Sequence, residues 1–434
     1  MDIKERIKKK DVTVCVVGLG YVGLPLALAF AKNGFRVIGY DVDPKKVDEL
    51  KSGGYKGYDE SVPVDYNGNG INFTSDPSTI KDADFVHVCV PTLLKNCSEP
   101  DMRQIENASN TIGENLKQGA FVINESSVYP GATEEIMKPA LEKASGMTCG
   151  KGFKLGFSPE RVNPGDKEHD LGNVVKVVSG IDDETSDAME ELYKNIVDAG
   201  VFKAKNIKTA EMSKLSENIQ RDLNIAMINE LSIICKKIGI DVKNVIEAAE
   251  TKWNFNKYHP GLVGGYCVPV NPIYLLHKSR ELGYEPKVIS AGRKLNDSMP
   301  GYVVDIIAKK LESIKESKIL VMGLSFKKNV SDARESPSKI LVKLLQEKGS
   351  EVLCYDPLLK KDDVVREFSI EPVDDIRNLS GIDCIVMAVG HDKFKEIKVE
   401  EIKAITKEKP FIFDIQAFFN PEEMKKLGFE YMRL

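Results

Sequence analysis

The sequence predicts an α/β protein with two Rossmann-like, doubly wound parallel-sheet domains joined by a central helical domain that contains a long helix. Three observations carry this expectation. Short β-branched runs alternate with longer helical patterns over roughly the first 200 residues. A proline-free stretch of helical periodicity follows, and a second strand–helix alternation starts near Lys318. A chain of 434 residues is also too long for one ordinary core. The expected division is 1–205, 206–305 and 315–434.

Element by element, the first domain offers strand candidates at 12–17, 36–40, 85–90, 121–124, 153–157 and 174–179. Such alternation implies a parallel sheet with helices on both faces, and ligands in such sheets bind beyond the carboxyl ends of the strands. Over 209–249, Leu215, Leu223, Ile225, Ala226, Ile228, Leu231 and Ile234 recur at helical spacing. This reads as one or two long helices, able to separate the α/β domains and to form a dimer interface. The last domain offers strands at 319–324, 351–355, 384–389 and 411–415, with a helix over 338–348.

Composition narrows the function classes. Charged residues are 29% and hydrophobic residues 42%, values of a globular protein. The net charge of −5, without a long basic run, argues against a nucleic-acid partner. No apolar stretch is long enough for a membrane span and the N-terminus lacks a signal-peptide core, so a cytoplasmic setting without a membrane partner is expected. The eight cysteines contain no C-x-x-C pair. That excludes the usual zinc or redox-dithiol spacing, and no metal is expected.

The cofactor signal lies at the N-terminus. Gly18-Leu19-Gly20-Tyr21-Val22-Gly23 follows a strand and opens a helix, and Asp41 ends the second strand 18 residues beyond Gly23. This is the dinucleotide fingerprint: glycines for the turn and for approach to the pyrophosphate, and an acid for the ribose hydroxyls. Asp41 would repel a 2′-phosphate, which favours NAD over NADP. Pro91, Thr92 and Ser127 end strand-like units on the same rim and are cofactor or water ligands by position.

The chemistry centres on Gly264-Gly265-Tyr266-Cys267-Val268-Pro269-Val270-Asn271-Pro272. A thiol in a glycine-rich loop, combined with a nicotinamide cofactor, suggests aldehyde oxidation through a covalent thioester. Lys214 and Asn218 stand four apart on the expected helix and share a face. Glu160 follows another strand in Ser158-Pro159-Glu160-Arg161-Val162-Asn163-Pro164-Gly165-Asp166.

From residue 12 to about 414, the chain resembles the UDP-glucose/GDP-mannose dehydrogenase family of four-electron, NAD-dependent nucleotide-sugar 6-dehydrogenases. The markers are the Gly18–Pro25 turn, Tyr129-Pro130-Gly131, the Glu160 segment, Glu217-Asn218-Ile219-Gln220-Arg221-Asp222, the Cys267 loop, Ser325-Phe326-Lys327, Asp332-Ala333-Arg334 and Tyr355-Asp356-Pro357. Gln220-Arg221-Asp222 and Lys252-Trp253-Asn254-Phe255 look like the UDP-N-acetylglucosamine/galactosamine branch of capsule and O-antigen pathways.

The resemblance implies a set of roles. Cys267 is the nucleophile, Lys214 and Asn218 stabilise the oxyanion, and Ser127 and Glu160 position water. Lys46 and Arg334 join the cofactor ligands Gly18, Leu19, Gly20, Tyr21, Val22, Gly23, Asp41, Pro91, Thr92 and Ser127. The UDP-N-acetylhexosamine substrate falls to Glu160, Arg161, Val162, Lys214, Asn218, Arg221, Tyr258, His259, Gly261, Gly264 and Lys327. A homodimer through the central helical domain is implied.

Four positions depart from the family pattern. Asn271 stands where Asp is usual, Tyr266 where His is frequent, Ser127 where Thr is usual, and Gln416 where Lys or Arg is common. Asn cannot accept a proton at neutral pH, so general-base help at 271 is lost, an effect typically worth about 10²–10⁴-fold in rate. Alternatives within the expectation are a UDP-N-acetylmannosamine dehydrogenase and a slow or silent nucleotide-sugar-binding homologue. A two-electron hydroxyacid or phosphogluconate dehydrogenase explains the N-terminal motif but gives Cys267 no task.

Overall fold

The computed structural model describes residues 2–53, 70–95, 98–162 and 168–434. The chain forms two compact units, residues 1–217 with 273–284, and residues 218–272 with 285–434. Two helices, Ile207–Ile238 and Val270–Glu281, continue from one unit into the other.

In the first unit the strands are β1 (Thr13–Val17), β2 (Arg36–Tyr40), β3 (Ile71–Thr74), β4 (Phe85–Val88), β5 (Leu93–Lys95), β6 (Glu99–Asp101), β7 (Phe121–Asn124), β8 (Lys154–Phe157), β9 (Lys176–Gly180) and β10 (Val201–Lys203). Eight of them make one sheet in the order β10-β9-β8-β7-β4-β1-β2-β3, while β5 and β6 form a separate hairpin. The central strands are mostly apolar because helices cover both faces, with His87 in β4 and Asn124 in β7 as buried polar exceptions. Val14, Val16, Phe121 and Ile123 pack with Leu26, Ala27 and Phe30 of the helix Gly23–Lys32. Asp43 accepts from the backbone of Lys45 and, with Pro44 at the first helical position, starts the helix Pro44–Lys51.

One expectation is corrected here. The sheet is not wholly parallel, since β8 and β9 pair antiparallel through Gly156–Gly180 and Phe157–Ser179. A strand buried on both faces shows the same apolar run whichever way it points, so the sequence pattern carries no direction. β3 and β10 were also not expected.

The second unit has β11 (Lys318–Met322), β12 (Glu351–Tyr355), β13 (Ile382–Met387), β14 (Thr406–Asp414) and β15 (Glu430–Arg433), all parallel, in the order β12-β11-β13-β14-β15. Its sheet is covered by the helix Ser338–Glu347, through Leu341, Val342 and Leu345, and by Met299, Val303 and Ile307 of the helix Lys287–Lys310. Among the described residues no helix is long and apolar enough to cross a membrane.

Candidate active site

The dinucleotide turn is built as its spacing requires. Gly18 has φ +92°, and a Cβ there would come within 2.6 Å of the Cys89 carbonyl oxygen. A Cβ on Gly23 would sit 1.9 Å from the Gly18 carbonyl oxygen, so only glycine lets helix and strand approach this closely. Among the described residues nothing lies within 4 Å of where a Cβ on Gly20 would stand, leaving that backbone face open. Tyr21 and Val22 lead into the helix that starts at Gly23.

The Leu19 N–H donates to Asp41 Oδ2 at 2.9 Å, and Lys46 Nζ reaches the same oxygen at 2.9 Å. Thr92 Oγ1 donates to the Ser127 carbonyl at 2.7 Å, tying the rims after β4 and β7 together next to Pro91. An open glycine turn, a helix N-terminus and an acid at the end of β2 fit a dinucleotide, with its pyrophosphate on the turn.

The turn after Ser127 is held from below. Glu211, fully buried, accepts the N–H groups of Gly131 at 2.5 Å and Thr133 at 3.0 Å. Burial, only partly offset by those two bonds, pushes its carboxyl up to about 7.

One turn along the same helix stands Lys214, 8% exposed, with neither a hydrogen bond nor an ion pair among the described residues. A buried ammonium without a counter-charge is costly, so it points to a negative charge supplied by a ligand or by the reaction. Glu160 follows β8. Its Oε1 accepts the N–H groups of Arg161 at 2.7 Å and Val162 at 2.6 Å, and its Oε2 faces Lys176 Nζ at 3.7 Å. Arg161 pairs with Glu217 at 2.9 Å. Of the Glu160 segment, residues 163–166 lie outside the described residues.

In the second unit Cys267 is solvent-exposed, whereas Cys15, Cys89, Cys235, Cys354 and Cys384 are buried and Cys149 is partly covered. Burial raises the Cys15 thiol to about 12 and is the largest cause that raises Cys149 to about 11. The Cys267 carbonyl accepts the Asn271 N–H at 3.0 Å, so the thiol sits at the N-terminal end of the helix Val270–Glu281, where free N–H groups favour negative charge. Asn271 is 1% exposed, and its Oδ1 accepts Asn218 Nδ2 at 2.6 Å. The amide at 271 thus retains an acceptor for Asn218 without being able to take a proton.

The Cys267 loop is locked by close approach. A Cβ on Gly264 would meet the Pro337 ring at 2.3 Å, and the Gly265 N–H donates to the Glu335 carbonyl at 2.9 Å. The Tyr266 ring lies under the Arg334 guanidinium at 5.3 Å, and burial pushes its phenol up. Arg334 itself is clamped by both carboxylate oxygens of Asp332 at 2.9 and 2.8 Å. The Lys327 carbonyl accepts Ser325 Oγ at 2.8 Å.

Asn229 braces the loop at Gly261, accepting its N–H at 2.8 Å and donating to its carbonyl at 3.0 Å. Tyr258 packs on the cluster of Ile228, Cys235, Val242 and Ile246, while His259 and Arg221 are exposed. Sequence reasoning missed Asn229 and the buried His87, Glu125, Lys176 and Tyr193 around Glu160. The available signal was a polar residue inside an otherwise apolar strand run.

Models of the UDP-glucose/GDP-mannose dehydrogenase family match this chain in three successive stretches. The NAD binding domain covers residues 12–197, the central domain 208–298 and the UDP binding domain 320–421. A UDP-N-acetyl-D-glucosamine 6-dehydrogenase of Salmonella typhi is 41% identical, over 95% of this chain and 98% of its own. A UDP-N-acetyl-D-mannosamine dehydrogenase of Methanocaldococcus jannaschii is 35% identical, over 96% of this chain and 95% of its own. The solved structure of a UDP-D-ManNAc dehydrogenase from Pyrococcus horikoshii has a TM-score of 0.88 at 30% identity, covering 97% of this chain and 98% of that one. The chain belongs to the UDP-glucose/GDP-mannose dehydrogenase family and is an NAD-dependent oxidoreductase of the UDP-sugar dehydrogenase type.

Proposed function

We propose that this family member oxidises C6 of a UDP-N-acetylhexosamine, UDP-GlcNAc or UDP-GalNAc, to the carboxylate, with Cys267 as the covalent nucleophile. The single observation that carries the reading is the exposed Cys267 thiol at a helix N-terminus, four residues before an Asn271 that orients Asn218. The relative at 41% identity, named for UDP-N-acetyl-D-glucosamine, supports the sugar. UDP-N-acetylmannosamine is the second reading, supported by the relative at 35%.

Each turnover consumes one C6 alcohol, two NAD and one water, and releases the carboxylate, two NADH and three protons. Bound NAD, held by the Gly18–Gly23 turn and Asp41 with Lys46, supplies the hydride acceptor for both oxidations. Cys267 adds as thiolate to the aldehyde carbon, and the Lys214 ammonium stabilises the resulting oxyanion. The Asn218 amide carries two hydrogens, so one serves that oxygen while the other stays on Asn271.

After the second oxidation a thioester joins Cys267 to the sugar. Water, placed by Ser127 and Glu160, attacks its carbon. The C–S bond breaks, the sulfur leaves with the electron pair, and the proton from water passes to Glu160. With Asn at 271, Glu160 is the carboxylate left for that proton. Lys327, Arg334 and Arg221 serve the UDP-sugar or cofactor phosphates, for which cations are suited.

The proposal includes a homodimer. Met227, Ile234 and Ile238 lie exposed on one face of the helix Ile207–Ile238, and light scattering should give twice the chain mass. The test of function is to incubate the protein with NAD and each UDP-sugar, counting NADH against uronate. Two NADH per uronate supports the reading. No turnover of any UDP-sugar, or a ratio of one, overturns it.

A further inference from the structure

Behind Glu160, in the first unit, lies a buried set of ionisable groups that the reaction scheme above leaves without a task. Lys176 opens β9 and is 2% exposed; Glu125 follows β7 and is 1% exposed. His87 on β4 and Tyr193, which ends the helix Asp183–Tyr193, are fully buried. Lys176 Nζ lies 2.8 Å from Glu125 Oε2 and 3.7 Å from Glu160 Oε2, and 5.4 Å over the Tyr193 ring. Glu125 Oε1 accepts the Tyr193 hydroxyl in a short bond and faces His87 Nδ1 at 3.0 Å.

Burying ions this deeply is costly, and an isolated buried pair is weak evidence of stabilisation. Here the lysine is shared between two carboxylates. Burial works to neutralise Lys176, yet the charges of Glu125 and Glu160 outweigh it and hold its ammonium above the ordinary value. Glu160 is fixed on one side by two backbone N–H groups on Oε1 and on the other by this ammonium beside Oε2. Among the described residues, other charged or titratable groups near Glu160 include Arg161, which is paired with Glu217, and the buried Cys89 thiol.

We infer that Lys176 is a positioning residue that aims the Glu160 carboxylate at the hydrolytic water through its contact beside Oε2, with Glu125 as the anion that anchors Lys176. The inference rests on the reading of Glu160 as proton acceptor in thioester hydrolysis. It goes beyond that reading by naming the groups that hold Glu160 in place. The net arrangement is two carboxylates around one ammonium. Removing the ammonium leaves Glu160 beside an uncompensated anion, while removing Glu125 leaves the ammonium to Glu160 alone.

These two perturbations act in opposite directions, which a merely structural role would not produce. The experiment uses the full chain with NAD and its UDP-sugar. It records kcat against pH, the NADH burst of single turnovers, and the mass of any sugar adduct on Cys267. Lys176→Met should move the acid limb to higher pH by roughly one unit or more, the scale of an opposite charge within about 4–6 Å. At a given pH on the acid limb hydrolysis should fall about tenfold, and there the Cys267 adduct should accumulate while the burst is retained. Glu125→Gln should move the acid limb to lower pH, and Lys176→Arg should restore the wild-type profile.

Should Lys176→Met fail to fold, the downward shift in Glu125→Gln and the Arg rescue still decide the matter. Acid limbs that move together, or that do not move, overturn the inference while leaving the function intact. Absence of any UDP-sugar turnover by the wild-type protein overturns both.

Discussion

Glu211 gives the most direct link between the architecture and a measurable free energy. Its carboxylate is fully buried under the turn that follows Ser127 and accepts the N–H groups of Gly131 and Thr133. Burial raises it from an ordinary 4.5 to about 7 in the folded chain. Because the folded value is raised, this group adds stability that is fully present below about pH 4.5 and is lost as the pH climbs through about 7. A pKa difference of one between the folded and unfolded chain is worth about 1.36 kcal/mol, so the whole contribution is about 3 kcal/mol.

The perturbation is Glu211→Gln, which cannot ionise and accepts through one oxygen, leaving one of the two N–H groups poorly served. That loss is independent of pH and costs about 1–3 kcal/mol. The assay is urea unfolding of both proteins at a series of pH values from 4.5 to 8.5, using the difference between them so that every other titrating group cancels. The wild-type advantage should shrink by about 3 kcal/mol across that range, with most of the change between pH 5 and 7. A difference that stays constant with pH, or grows as the pH rises, refutes the reasoning.

Three further outcomes concern the reaction and one the cofactor. Cys267→Ser should lower uronate formation at least about a thousandfold, because a lost nucleophile removes the covalent route, and no thioester mass should appear on the protein. Asn271→Leu should cost about 1–3 kcal/mol of stability by stranding the buried Asn218 amide and should lower kcat at least tenfold. Asn271→Asp should change kcat by less than about tenfold if, as proposed, Glu160 takes the proton; a rise near the full 10²–10⁴ of a missing general base would move that role to residue 271. Gly23→Val should abolish NAD binding by calorimetry, because even a Cβ would overlap the Gly18 carbonyl oxygen.

Much of the fold was legible because buried parallel strands have a strong local signature. Residues 36–40 and 121–124 match β2 and β7 residue for residue. The helices Val270–Glu281 and Lys287–Lys310 were not foreseen, and the reason is physical. The first opens with Asn271-Pro272, a pair that reads as a turn, and the second carries Gly292, Pro300 and Gly301 in its interior. Tertiary packing of Met299, Val303 and Ile307 overrides those breakers.

The candidate site divides the same way. Gly18, Gly23 and Asp41 announce themselves because a tight turn and a strand-end acid are local events. His87, Glu125, Lys176 and Tyr193 come from four separate elements, and only the order of the sheet brings them together. In sequence each is a lone polar residue in or beside an apolar run, with nothing to say which other such residue it will meet.

The two sheets also show why a shared turn does not mean a shared ligand. In the second unit Gly323 follows β11 with φ +86°, and a Cβ there would meet the Val389 carbonyl oxygen at 2.1 Å. The next N–H, of Leu324, donates to Asp356 Oδ2 at 2.7 Å, as Leu19 does to Asp41. The backbone device is therefore the same in both units: a left-handed glycine after the first strand and an acid after the second that catches the following N–H. What differs is the remaining partner of the acid. Asp41 keeps the partly exposed Lys46, at the edge of an open turn. Asp356 instead lies 3.0 Å from Nε2 of a fully buried His391, whose Nδ1 accepts the Asn329 N–H at 2.8 Å. That bond fixes the proton on Nε2, so His391 donates to Asp356. The acid of the second unit is thereby spent on holding the loop that carries Lys327, rather than being presented at a rim. A glycine turn with its acid specifies the strand–turn geometry; the third group that reaches the acid differs between the two units, Lys46 in the first and His391 in the second.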